Sequence, residues 1–299
     1  ATIAEGTYAT INGSSTAGTD IINITISDAI TAAEGAALVG KTAGTITYTN
    51  GLLDSLANYK SGVSPSANLE TVTGRTNNVS MELNDNTGAE IGAVILETIA
   101  DTTSGYITFT NNLELQGTLA NCKTVLVTRE TVELGAALIT ITPAMTGGDV
   151  ADLNAVSDKT FGVVTGTISG TAAQLDDLDK DTDAEYLALI ITVSDTITAA
   201  QGGIIVDATS VATVDFSGAG SGISDIFANL LTGNLATPTT KISAKDTDIK
   251  VTISDTVSIT TQDHRTQLNA IIAATSGNVS GTVTGDVLQL AYLTKETTN

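Results

Sequence analysis

The sequence predicts an α/β protein, a solenoid-like stack of strand–helix repeats with a mainly parallel sheet, one face of which is rich in Thr and Ser. Three observations carry this. A seven-residue phrase recurs along the chain, the hydrophobic period changes from strand to helix after each copy, and successive strands are separated by helical segments.

The phrase is Ile24-Thr25-Ile26-Ser27-Asp28-Ala29-Ile30, repeated as Ile191-Thr192-Val193-Ser194-Asp195-Thr196-Ile197 and as Val251-Thr252-Ile253-Ser254-Asp255-Thr256-Val257; weaker relatives start at Val79 and Val125. Apolar residues alternate with Thr or Ser, the period of a strand with one face on a core, and β-branched side chains suit a pleated surface. Helix starts follow. Thr31–Glu34, Thr171–Gln174 and Thr198–Gln201 have the form of a capping box, with Thr87–Glu90 a fourth candidate. Apolar residues at helical spacing then mark short helices, as in Leu268, Ile271, Ile272 and Thr275, or Ile223, Ile226, Phe227 and Leu230. A second strand comes next at residues 44–50, 105–111, 162–168, 212–216 and 277–283, four of them opened by a Gly where a helix ends and the chain turns. Further helical patterns succeed it, as in Leu52, Leu56 and Tyr59, or Ala172, Leu175 and Leu178.

One unit thus reads strand, helix, strand, helix. Phrase spacing divides the chain into a partial N-terminal repeat at 1–23, then repeats at 24–78, 79–124, 125–190, 191–250 and 251–299. Strands joined through helices pair in parallel with same-handed crossovers. A doubly wound sheet needs strands apolar on both faces, and here Thr45, Thr47 and Thr49 lie opposite Ile46 and Tyr48. The competing arrangement is two compact α/β domains divided near Pro143–Asp149 or near Asp179–Glu185. Residues 6–12 read as a second strand without a first, and the last unit runs out at Leu293 without a polar cap. An uncapped stack presents complementary edges, and head-to-tail contact between unlike surfaces gives an open filament.

Composition excludes several classes. The 299 residues include 12 Lys plus Arg against 33 Asp plus Glu, a formal charge of −21, so clustered cations for nucleic acid or anionic membrane are missing. No apolar stretch is long enough for a spanning helix, which predicts no membrane insertion. The sequence opens on Ala1, as removal of a leader would leave, and the expected location is extracellular or on the cell surface. A single His264 and a single Cys122 leave no nucleophile–base pair to draw, and no phosphate loop, dinucleotide fingerprint or zinc spacing occurs, so no catalytic residue and no organic cofactor is assigned. Paired carboxylates, as in glycoside hydrolysis, are the trailing enzyme reading.

Calcium is the one metal the pattern suggests. Asp179, Asp181 and Asp183 place oxygens at alternate positions of a calcium-type loop, which then lacks Gly at its sixth position and has Ile190 at its twelfth. Asp28, Asp195 and Asp255, at strand ends, read as turn residues bonding local amides before they read as ligands. The Thr face admits an ice-binding alternative, but Gly166 and Asp215 interrupt it.

The phrases Ser194–Gln201 and Ala273–Val283 resemble tandem repeats of very large secreted or surface-attached proteins of marine bacteria, especially cyanobacteria. That resemblance implies structural or adhesive work outside the cell and no defined active site. The expected function is a non-catalytic subunit of a self-assembling extracellular filament, sheath or surface layer, with copies of itself as partners and cell-surface glycan as a further one. A virion appendage or decoration protein is the alternative, and a calcium-, glycan- or ice-binding surface module is another.

Overall fold

The computed structural model describes residues 7–14, 16–178, 187–211, 213–216, 222–231 and 241–293. It is a mixed α/β protein with mostly parallel sheets. The chain forms two compact units, one of Ala1–Thr142 with Ala155–Val164, the other of Pro143–Asn154 with Thr165–Asn299.

In the first unit the strand Ile24–Ile26 pairs in parallel with Ile46–Tyr48. Leu52–Asp54, Met81–Leu83 and Ile107–Phe109 form a second ladder, and Glu90–Gly92, Glu114–Gly117 and Leu138–Ile141 a third, each in chain order. One short antiparallel pair, Lys60–Ser61 with Ser64–Pro65, interrupts the pattern. In the second unit Thr196–Ile197, Gly222–Asp225, Val251–Ile259 and Val279–Gly285 run side by side in the order of the chain, all parallel. Leu187–Val193 pairs in parallel with Val214–Asp215.

The alternation read from the sequence decides which face is buried. Ile24 and Ile26 are buried with Thr25 between them half-exposed, and Ile46 and Tyr48 flank an exposed Thr47. Leu187–Val193 buries Leu187, Leu189, Ile191 and Val193 on one side. Each such aliphatic side chain contributes about 1.5–3 kcal/mol by leaving water. Helices between the strands bury one stripe, as Ala32–Val39 does with Ala32, Gly35 and Leu38. Thr31, Thr171 and Thr198 form the expected capping boxes with Glu34, Gln174 and Gln201.

Five local expectations are corrected. The phrase at Val125 is not a strand. Thr118 caps the helix Leu119–Lys123, which runs on as a π-helical turn over Thr124–Thr128 and buries Val125 and Leu126 together, so adjacent residues share a face as no strand allows. Residues 6–12 hold the helix Tyr8–Asn12, which buries Ile11. Thr87–Glu90 is no helix cap: a turn at Gly88, with φ +78°, leads into the strand Glu90–Gly92, and the helix begins only at Ala93. Ile223 lies in the strand Gly222–Asp225, leaving Phe227–Leu231 as the helix, and Leu52 lies in the strand before the four-residue helix Leu56–Tyr59. In both cases an apolar residue ending a strand mimics the first position of a helical stripe.

Candidate functional site

Two side-chain devices recur between neighbouring strand–helix segments. The first is a buried threonine at the turn that leads into a strand. Thr42, Thr103, Thr160, Thr209 and Thr275 donate their hydroxyls to the carbonyls of Ile22, Val79, Ala137, Leu189 and Ile249, at 2.6, 2.7, 2.6, 2.8 and 2.6 Å. Each hydroxyl also accepts the amide two residues on, from Gly44, Gly105, Gly162, Val211 and Gly277. The glycine leaves room for this bracket: a Cβ on Gly105 would stand 2.4 Å from the carbonyl oxygen of Val79. Cations close the bracket's outer side. The Arg75 guanidinium donates to the carbonyls of Thr42 and Gly44, and the Lys245 ammonium to those of Thr209 and Val211.

Asp246 takes the threonine's place once. Its carboxylate accepts the Phe216 amide at 2.7 Å and the Asp248 amide at 3.3 Å, as Thr209 accepts those of Leu189 and Val211. Burial, with the nearby Asp248 adding to it, pushes this carboxyl from 3.8 up to about 6.

The second device is an aspartate, at or just beyond the end of a strand in five cases and inside the strand Val251–Ile259 in the sixth, Asp255, holding the first amide of a helix that lies 20 to 29 residues earlier. Asp28, Asp54, Asp85, Asp195, Asp225 and Asp255 accept the amides of Tyr8, Ala32, Leu56, Ala172, Ala199 and Phe227 at 2.7–3.1 Å. A carboxylate there also complements the positive end of the helix. At two sites the arrangement is reproduced in detail. Asp54, 5% exposed, also accepts the Ser55 amide and the Asn58 side chain; Asp225, 9% exposed, accepts the Ile226 amide and the Asn229 side chain.

The expectation for Asp28, Asp195 and Asp255 is therefore corrected. They do bond amides, but those of a helix on an earlier segment and not of their own turn. Among the described residues no group of three or more His, Cys, Asp or Glu is placed to hold a metal ion. Asp179, Asp181 and Asp183 lie outside the described residues.

No family model matches this chain, and no curated protein or solved structure matches it.

The other singled-out residues have local roles. Cys122 is fully buried, and burial pushes its thiol up to about 11, so little thiolate forms at neutral pH. His264 sits in the first turn of Gln262–Ala273, its amide on the Thr261 hydroxyl and its Nδ1 3.4 Å from the Thr260 hydroxyl. No helix among the described residues is long and apolar enough to cross a membrane.

A surface feature stands out at the strand Val279–Gly285. It is bonded on one side to Val251–Ile259, and among the described residues no strand pairs with its other edge. Its inward Val279 and Val283 are only half-buried, whereas Val251, Ile253, Val257 and Ile259 one strand back are buried. A cavity of about 350 Å³ opens beside it, lined by Ile253, Leu268, Ile272, Val279, Val283 and Leu293. Val287 and Leu288 are 84% and 76% exposed on the short helix that follows. Within 276–293 the one charged residue is Asp286.

Proposed function

We propose that each unit is a short solenoid-like stack of strand–helix coils, and that the chain is a non-catalytic structural subunit whose copies join head to tail into an extracellular polymer. The observation that carries this reading is the edge of Val279–Gly285, open among the described residues, with its half-buried Val279 and Val283 and its exposed Val287 and Leu288. An unpaired parallel edge is a template for another strand, and this one carries no row of Lys, Pro or inward charge to blunt it. The strand Ile24–Ile26 also has a partner on one side alone among the described residues, so the two edges are unlike surfaces of the same kind of ladder. Contact between unlike edges is heterologous and does not close by two-fold symmetry.

Charge supports the same reading. A chain at −21 repels its copies, and a nearly uncharged contact surface is the place where that repulsion is least. The coil reading is supported by ladders that add strands in chain order and by Thr and Asp brackets that each join neighbouring segments. The setting outside the cell rests on the resemblance of Ser194–Gln201 and Ala273–Val283 to tandem repeats of secreted and surface-attached proteins.

Negative-stain microscopy of the purified chain over a rising concentration series tests the proposal. Regular polymers with an axial repeat of about one chain are expected. Particles that stay monomeric at every concentration, or that stop at two-fold dimers, contradict it.

A further inference from the structure

We propose that a cleft in the first unit, between Glu130–Gly135 and Asp158–Phe161, docks a basic, partly apolar peptide segment. The cleft holds about 530 Å³, within the range of small-ligand sites. Its floor is apolar: Leu126, Val132 and Leu134 are buried beneath it. Its wall is the ring of Phe161, 76% exposed and so available to a ligand's aliphatic stem or cationic head.

Charge complementarity selects the occupant. Glu130, Glu133 and Asp158 line the cleft against a single ammonium, Lys159, leaving the rim with an excess of two negative charges. The chain's overall charge of −21 adds a long-range field of the same sign. An acidic ligand is repelled, and a bare metal ion finds no three close carboxylates among the described residues. A lysine or arginine side chain satisfies both features, laying its methylenes on the apolar floor and its charge at the rim. Glu130 is held at this rim by its backbone, which sits at φ 55°, in the left-handed region that non-glycine residues rarely adopt. The preceding Arg129 anchors that turn through an ion pair with Asp101 and a hydrogen bond to the Ala100 carbonyl at 3.1 Å.

The probe is an acetylated, amidated four-residue peptide alternating leucine and arginine, titrated calorimetrically into the full chain. Two controls run alongside, the same peptide with glutamate in place of arginine, and maltose as a neutral ligand that would also stack on Phe161. The basic peptide is expected to bind saturably, and to lose about tenfold in affinity in Glu130→Gln/Glu133→Gln, in Phe161→Ala, and at about 0.5 M salt. All three substituted side chains are exposed, so melting temperatures should match the parent's and exclude unfolding as the cause. Absence of saturable binding, equal binding of the acidic peptide, binding of maltose alone, or an affinity unchanged by the substitutions each overturns the proposal.

Discussion

At the scale of single residues, the buried aspartates carry more than their charge suggests. Asp54 satisfies three donors, one of them the Ala32 amide from an earlier helix, so Asp54→Ala leaves buried donors unpaired. Urea unfolding should show a loss of about 2–4 kcal/mol, and Asp225→Ala should match it. Asp255 holds one amide on an exposed site, and Asp255→Ala should cost about 1 kcal/mol or less. Asp246 makes stability depend on pH in the opposite sense to a salt-bridged carboxylate. Its folded pKa, about 6, lies above the ordinary 3.8, so between these values the folded state binds the proton more tightly than the unfolded one. Its contribution grows as pH falls from 7 through 6 toward 4 and is lost as pH rises through about 6. The stability of the parent relative to Asp246→Asn should therefore increase between pH 7 and pH 5; a difference that is flat or shrinks on acidification contradicts the assignment. Asp255, expected at a strand end, lies inside the strand Val251–Ile259, whereas Asp28 and Asp195 were legible as strand-end residues that bond amides. Which amides they bond was not, because the partner is set by ladder register and lies at least 20 residues away.

At the scale of elements, the turn into each strand is the constrained point. Thr103 and Gly105 form one bracket, and Gly105→Ala would drive a methyl into the Val79 carbonyl at 2.4 Å. The expected loss is about 2–3 kcal/mol by thermal melting. The same substitution at Gly74, inside the helix Ala67–Arg75 with nothing near its Cβ position, should instead stabilise by about 0.5–1 kcal/mol. The pair separates close approach from any general effect of losing glycine. The sequence displays the glycines before the strands at 105, 162 and 277, and the alternating phrases that bury every second residue, because both are local chemistry. It misleads at Val125, where a run of β-branched residues has strand propensity, yet the capped helix before it continues and buries two adjacent side chains. Propensity yields there to tertiary packing. The open surface around Val283 has no local signature at all: Val257 and Val283 are paired with each other, yet Val257 is buried and Val283 only half-buried.

At the scale of the whole molecule, head-to-tail assembly turns on what the outer edge of Val279–Gly285 does in solution. Val287 and Leu288 offer a way to test it without disturbing the fold, since both are exposed and neither contributes to the buried core. Val287→Asp/Leu288→Asp places two charges on a surface that otherwise carries Asp286 alone. Sedimentation velocity of the parent and this variant, across the same concentration series and at physiological salt, is the most direct measurement. With head-to-tail assembly, the parent's weight-average sedimentation coefficient climbs steadily with concentration while the variant stays at the value of one chain. A parent that sediments as a single chain throughout, or a variant that associates as the parent does, contradicts it.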